Sequence, residues 1–183
     1  TYELETREGE FETHVRMKMR ASAISDLLVI PRLRGHPDRV PIEASHKRGV
    51  VDPLAAFLLV NATKTTDGSK ICQRTVKVFD GWHRYDINLS FKESRRVDGG
   101  SDSYDGRVFV CRARYVPVAG HRARLKTTQQ LPENERLEVW YAPLADGRLL
   151  APFRILIGTQ YGDLVVAATR FVAGDRDTAA RGK

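Results

Sequence analysis

From Phe11 to Met19 the chain alternates without a break. Phe11, Thr13, Val15, Met17 and Met19 fall on one side, and Glu12, His14, Arg16 and Lys18 on the other. A period of two places these sets on opposite faces of a strand with one wet face. Tyr2–Thr6 precedes it across Arg7-Glu8-Gly9, which predicts a hairpin. A second pair is predicted at Thr75–Asp80 and Trp82–Phe91, joined at Asp80-Gly81, a dipeptide favoured where two-residue turns need positive φ. In the later strand His83, Tyr85, Ile87, Leu89 and Phe91 share one face, and Trp82, Arg84, Asp86, Asn88 and Ser90 the other. Arg107–Val116, Leu137–Ala142, Ala151–Gln160 and Leu164–Phe171 are further strands, the last two meeting across Tyr161-Gly162-Asp163.

Only one helix is marked. Asp52 suits an N-cap, Pro53 the first helical position, and the apolar run from Leu54 to Val60 continues it. Apolar all round, it is expected to be buried against the sheet. Pro31–Pro41 holds three prolines and Gly35 and reads as a loop. The fold class is therefore mainly β (α+β), a meander-like antiparallel sheet packed on one short helix.

Length fits one domain over residues 1–172, with a polar tail over 173–183. At 42% hydrophobic and 29% charged the chain is globular in composition, and no run approaches the roughly 18 apolar residues that span a bilayer. The net charge of +7 and a pI near 9.6 attract polyanions in general without naming one. Thr1 follows no charged-then-apolar leader, which is read as a cleaved or truncated chain.

Chemistry-bearing motifs are sparse. A nucleophile elbow, a phosphate-binding loop, a dinucleotide fingerprint and the zinc-protease pattern are all absent from the sequence. Asp98-Gly99-Gly100-Ser101 precedes no helical pattern and reads as loop. Five histidines, His14, His36, His46, His83 and His121, lack ligand spacing, so no metal, cofactor or catalytic residue is assigned. His83, Asp86 and His121 are the group an enzyme acting on envelope polymers would need to bring together. Asp80 reads as a turn residue, and Glu133 and Glu135 as charges of a loop. Arg112 and Arg114 point away from the face shared by Phe109, Cys111, Ala113 and Tyr115, so a base-stacking platform for nucleic acid is not expected. Cys72 and Cys111 stand 39 residues apart. That spacing excludes a zinc site and a redox pair, and leaves a structural disulfide and two reduced core thiols both open.

One ordered set of short motifs adds to this. It runs Asp52-Pro53-Leu54, Cys72-Gln73-Arg74-Thr75, Val78-Phe79-Asp80-Gly81 with Arg84 and Asp86, then Tyr104-Asp105-Gly106 and Val110-Cys111. It continues through Arg114-Tyr115-Val116-Pro117-Val118-Ala119-Gly120-His121, Glu138-Val139-Trp140, Pro152, and a closing Gly162 and Ala168-Thr169-Arg170-Phe171. Over about residues 50–172 the chain resembles the uncharacterised family called domain of unknown function 3108. The resemblance implies an exported, periplasmic protein of a Gram-negative envelope, whose parent carries a signal peptide and further N-terminal strands. It also implies a curved sheet similar to the half barrel of lipoprotein carriers, and a Cys72–Cys111 disulfide. The function so implied is non-enzymatic binding of a hydrophobic or amphipathic ligand (a lipid) or of an envelope protein. A large apolar concavity under Asp52–Val60 would mark it.

Overall fold

A computed structural model describes residues 2–8, 11–31, 35–98, 104–159 and 161–169. The chain is mostly strand. β1 (Tyr2–Glu8), β2 (Phe11–Arg20) and β3 (Ala23–Ile30) form a three-stranded antiparallel sheet in the order β1-β2-β3. The alternation in β2 is realised: Val15 and Met17 are fully buried while Arg16 and Lys18 face water. They pack on Val50 and Phe79, with Ile42 and Trp82 beside them.

The main sheet is a curled antiparallel half-barrel. Its strands are β5 (Arg74–Phe79), β6 (Arg84–Val97), β7 (Gly106–Ala119), β8 (Leu137–Leu144), β9 (Leu149–Thr159) and β10 (Gly162–Ala167), each paired with its sequence neighbour. β4 (Leu59–Val60) joins β9 beyond this path, through Leu59↔Leu150 and Val60↔Leu149. The half-barrel interior holds Leu59, Leu89, Phe109, Val139, Tyr141 and Leu150. Burial pushes the Tyr141 hydroxyl well above its usual pKa.

The helix against this interior is α1 (Gly68–Cys72), capped by Asp67, whose Oδ1 accepts from the Ser69 amide at 3.0 Å. Cys72 is bonded to Cys111 of β7, with both side chains buried and Cα atoms 5.5 Å apart. Gly68 lies flat on the Phe91 ring, where a Cβ would come within 2.1 Å of Cε2. A second short helix, α2 (Lys126–Gln130), follows β7.

Two expectations are corrected, and one strand is added to them. Asp52–Val60 is not a helix. Asp52 does cap as read, its Oδ1 accepting from Leu54 and Ala55 at 3.0 and 2.9 Å, but only one 3-10 turn follows, at Ala55–Phe57. The reason is tertiary: Val51 bridges to Val78 at the edge of β5, and Leu59–Val60 pairs with β9. Both ends are held extended, and a helix rising about 1.5 Å per residue would shorten the span between them. The segment is a strap across the mouth of the half-barrel and is not buried beneath it. The Asp80-Gly81 turn is also longer than two residues, since Phe79 pairs with Arg84. Asp80 Oδ1 accepts from the Trp82 and His83 amides at 2.8 and 2.6 Å, so the carboxylate organises a four-residue loop. Finally β3 was not expected; its turn uses Ala21 and Ser22, both at positive φ (49° and 58°), without the Asn-Gly signature of such turns. The Gly99–Ser101 cluster and the tail over 173–183 lie outside the described residues.

Candidate functional site

His83 and His121 come together at the open end of β6 and β7; Asp86 does not join them. Asp86 pairs with the buried Arg84 at 2.6 Å, and the carboxylate beside His83 is Asp80, whose Oδ2 lies 3.1 Å from Nδ1. Burial, and then the nearby His83, hold His121 below the usual histidine pKa. Asp80 is thus committed to the turn it caps, with the imidazole of His83 as one further partner. Among the described residues no group of three or more His, Cys, Asp or Glu is placed to hold a metal ion. Among the described residues no helix is long and apolar enough to cross a membrane.

Two concavities stand out among the described residues. The first lies between the strap and the edge of β5. It has a volume of about 380 Å³ and is walled by Val50, Val51, Leu58, Leu59, Val60 and Val76, with Arg74 and Lys77 at its rim. Beside it Leu54, Phe57, Leu58 and Val60 are 67, 40, 46 and 67% exposed, a run of apolar side chains standing in water. Leu58 and Val60 are exposed where the backbone is extended, and Leu54 and Phe57 at the single 3-10 turn, where a buried helix would have covered all four. The expected apolar concavity at this segment is present but small.

The second is a groove of about 1170 Å³ on the face of the sheet opposite α1, and it is polar. Residues 112 and 114 of β7, 138 and 140 of β8 and 154 and 156 of β9 alternate onto this face. A register shift between Phe91 and Glu93 inserts Lys92 as a bulge, so Glu93 and Arg95 also turn to it. Trp140 forms the floor. The guanidiniums of Arg95 and Arg154 lie 5.1 and 5.0 Å from its ring centroid, and its Nε1 donates to Glu138 Oε2 at 3.2 Å.

Several cations in and around the groove are neutralised locally. Lys92 meets Glu138 at 2.5 Å, Arg95 meets Glu93 at 2.8 Å, and Arg136 meets Asp163 at 3.0 Å. Burial alone would raise the Glu138 pKa, but hydrogen bonds from Lys92 and Trp140, with the charges of Lys92 and Arg112, hold it below the usual range. Among the described residues Arg112, Arg114 and Arg154 make no contact ion pair, although the charge of Arg112 is felt by Glu138, and Arg154 Nε is buried without a hydrogen bond. Arg112 and Arg114 point away from the Cys111 face as alternation requires. The sequence singles out neither Arg95 nor Arg154 and has Trp140 only within Glu138-Val139-Trp140; the bulge that turns Arg95 to this face is invisible to a two-residue period.

No curated protein and no solved structure matches the chain. The family described as protein of unknown function (DUF3108) matches residues 2–169, which extends the resemblance read over residues 50–172 back through β1, β2 and β3. The chain belongs to that family.

Proposed function

We propose that this is a non-enzymatic protein of the cell envelope, exported to the periplasm, that binds an amphipathic ligand at the mouth of its curved sheet. The observation that carries the reading is the strap: an apolar cleft with four water-exposed apolar side chains beside it and two cations, Arg74 and Lys77, at its rim. An acyl chain would bury those side chains, and its polar end would meet the cations. The disulfide agrees with an oxidising compartment. The commitment of Asp80 to its turn and of Asp86 to Arg84 favours binding over acid–base chemistry. Residues 1–172 would act as one unit.

The test is titration with a fluorophore-labelled dodecanoate. Binding is expected, and a Leu58→Asp/Val60→Asp variant should weaken it at least roughly tenfold, since each exposed aliphatic side chain covered by ligand contributes about 1–2 kcal/mol. Thermal denaturation of the same variant checks that it stays folded. No binding by the wild-type protein, or equal binding by a folded variant, would overturn the reading.

A further inference from the structure

We infer that the groove around Trp140 is a second, separate binding site, for a small ligand carrying two or more phosphate or carboxylate groups. Arg112 stands opposite Ser90 and Glu138 in the sheet, and Arg114 opposite Asn88. Glu138 is taken by Lys92 and Trp140, and the Asn88 carbonyl oxygen lies 2.8 Å from the Thr75 hydroxyl. Between Arg112, Arg114 and Arg154 the groove therefore presents guanidinium N–H groups, an amide and a hydroxyl, and the carboxylates of Glu133 and Glu135 stand at its loop side. Guanidinium donates and cannot accept, so the complementary ligand is rich in acceptors. The fork of each arginine matches the paired oxygens of phosphate or carboxylate.

Position sets the size. Arg112 and Arg114 are about 7 Å apart along β7; Arg154 lies two strands away in register with Val110, so its Cα stands about 12 Å from that of Arg112 and about 17 Å from that of Arg114. Like charges at neighbouring positions of one face repel, and a multiply charged anion placed among them would relieve that repulsion. Glu133 and Glu135 line the same groove from the exposed loop at one side. Their charge disfavours a long polyanion running through, which argues for a compact ligand over a nucleic-acid backbone. Neither the strap nor the apolar cleft takes part, so the site is independent of the amphiphile reading.

The experiment is isothermal titration at about 50 mM salt, near a 14 Å screening length. Three probes separate the possible sources: inorganic tripolyphosphate, citrate, and vesicles of phosphatidylcholine with and without phosphatidate. At least one should bind, and more weakly at 200 mM salt. Arg112→Gln/Arg114→Gln should weaken that binding roughly tenfold or more, as charge-assisted hydrogen bonds are lost. Arg154→Gln serves as a second variant from another strand. Arg16→Gln/Lys18→Gln makes the same charge change on exposed positions of β2 and should leave binding within about twofold. Failure of all three probes to bind the wild-type protein would overturn the site. So would equal weakening by the groove pair and the β2 pair, since only net charge would then be at work.

Discussion

Breaking the Cys72–Cys111 bond should cost this protein a large part of its stability. The bond closes a loop of 39 residues that starts at the last residue of α1 and contains β5, all of β6 and the first part of β7. Chain-entropy arithmetic for a loop of that length gives about 4 kcal/mol. For a chain of this size each kcal/mol moves the melting midpoint by about 2–4 °C, so the bond accounts for roughly 8–16 °C. Both cysteines are fully buried beside Ile71 and Phe109, so no solvent-exposed thiol softens the loss. The assay is urea unfolding followed by fluorescence of Trp82 and Trp140, comparing oxidised protein, protein reduced under denaturing conditions and refolded, and Cys72→Ala/Cys111→Ala. The reduced protein isolates the cross-link, while the double alanine adds a small packing loss, so the variant should be the weakest of the three. Native-state hydrogen exchange should show α1 losing protection first, because α1 is only five residues long and is tethered at its last one. Oxidised and reduced protein unfolding within about 1 kcal/mol of each other would refute the reasoning, and the disulfide would then be incidental to the fold.

Gly120 sits at φ +83° with the Trp82 carbonyl oxygen 1.8 Å from where a Cβ would stand. Gly120→Ala should therefore cost about 3 kcal/mol or more in denaturant unfolding, whereas Gly147→Ala, at φ +78° in open space, should cost about 1 kcal/mol. Glu138→Gln should destabilise the protein by about 1–3 kcal/mol at neutral pH. Because the folded carboxyl titrates below 4.5, the wild-type advantage is present above that pH and disappears as pH falls through the lower folded value; unfolding midpoints across pH 2–7 would show it. His121 behaves in the opposite chemical sense: its folded pKa lies below 6.5, so acidification below 6.5 costs stability as the partly buried ring is forced to charge. His83→Gln should raise the His121 pKa towards 6.5 in an NMR titration of the ring protons, and an unmoved value would show that burial alone sets it.

The sheet was legible because its strands announce themselves locally. Val15 and Met17 inward, Arg16 and Lys18 outward, is a pattern that only a half-buried strand satisfies, and the order of the main sheet follows from hairpins between successive strands. The strap was misread because Leu54–Leu59 favours helix locally while backbone pairing at Val51 and Leu59 decides the matter from afar. The α1 helix was missed for the opposite reason: Gly-Ser-Lys-Ile-Cys is a poor helix former, kept by its Asp67 cap and by the Cys72 bond. The groove combines both problems. Arg112 and Arg114 could be placed on one face by counting, but Arg95 changes face at a bulge, and Arg154 reaches Trp140 only through the register of β8 and β9.

The strap also sets an order of assembly. Apart from β7 and β8, which are joined through α2, every neighbouring pair from β5 to β10 can zip from its own connection, with little chain to gather. Asn61 must instead find the Gly147 carbonyl across 86 residues, and Leu59 must find Leu150. Those contacts wait for β8 and β9 to exist, so the mouth of the half-barrel shuts last during synthesis and is the cheapest part to unlatch afterwards.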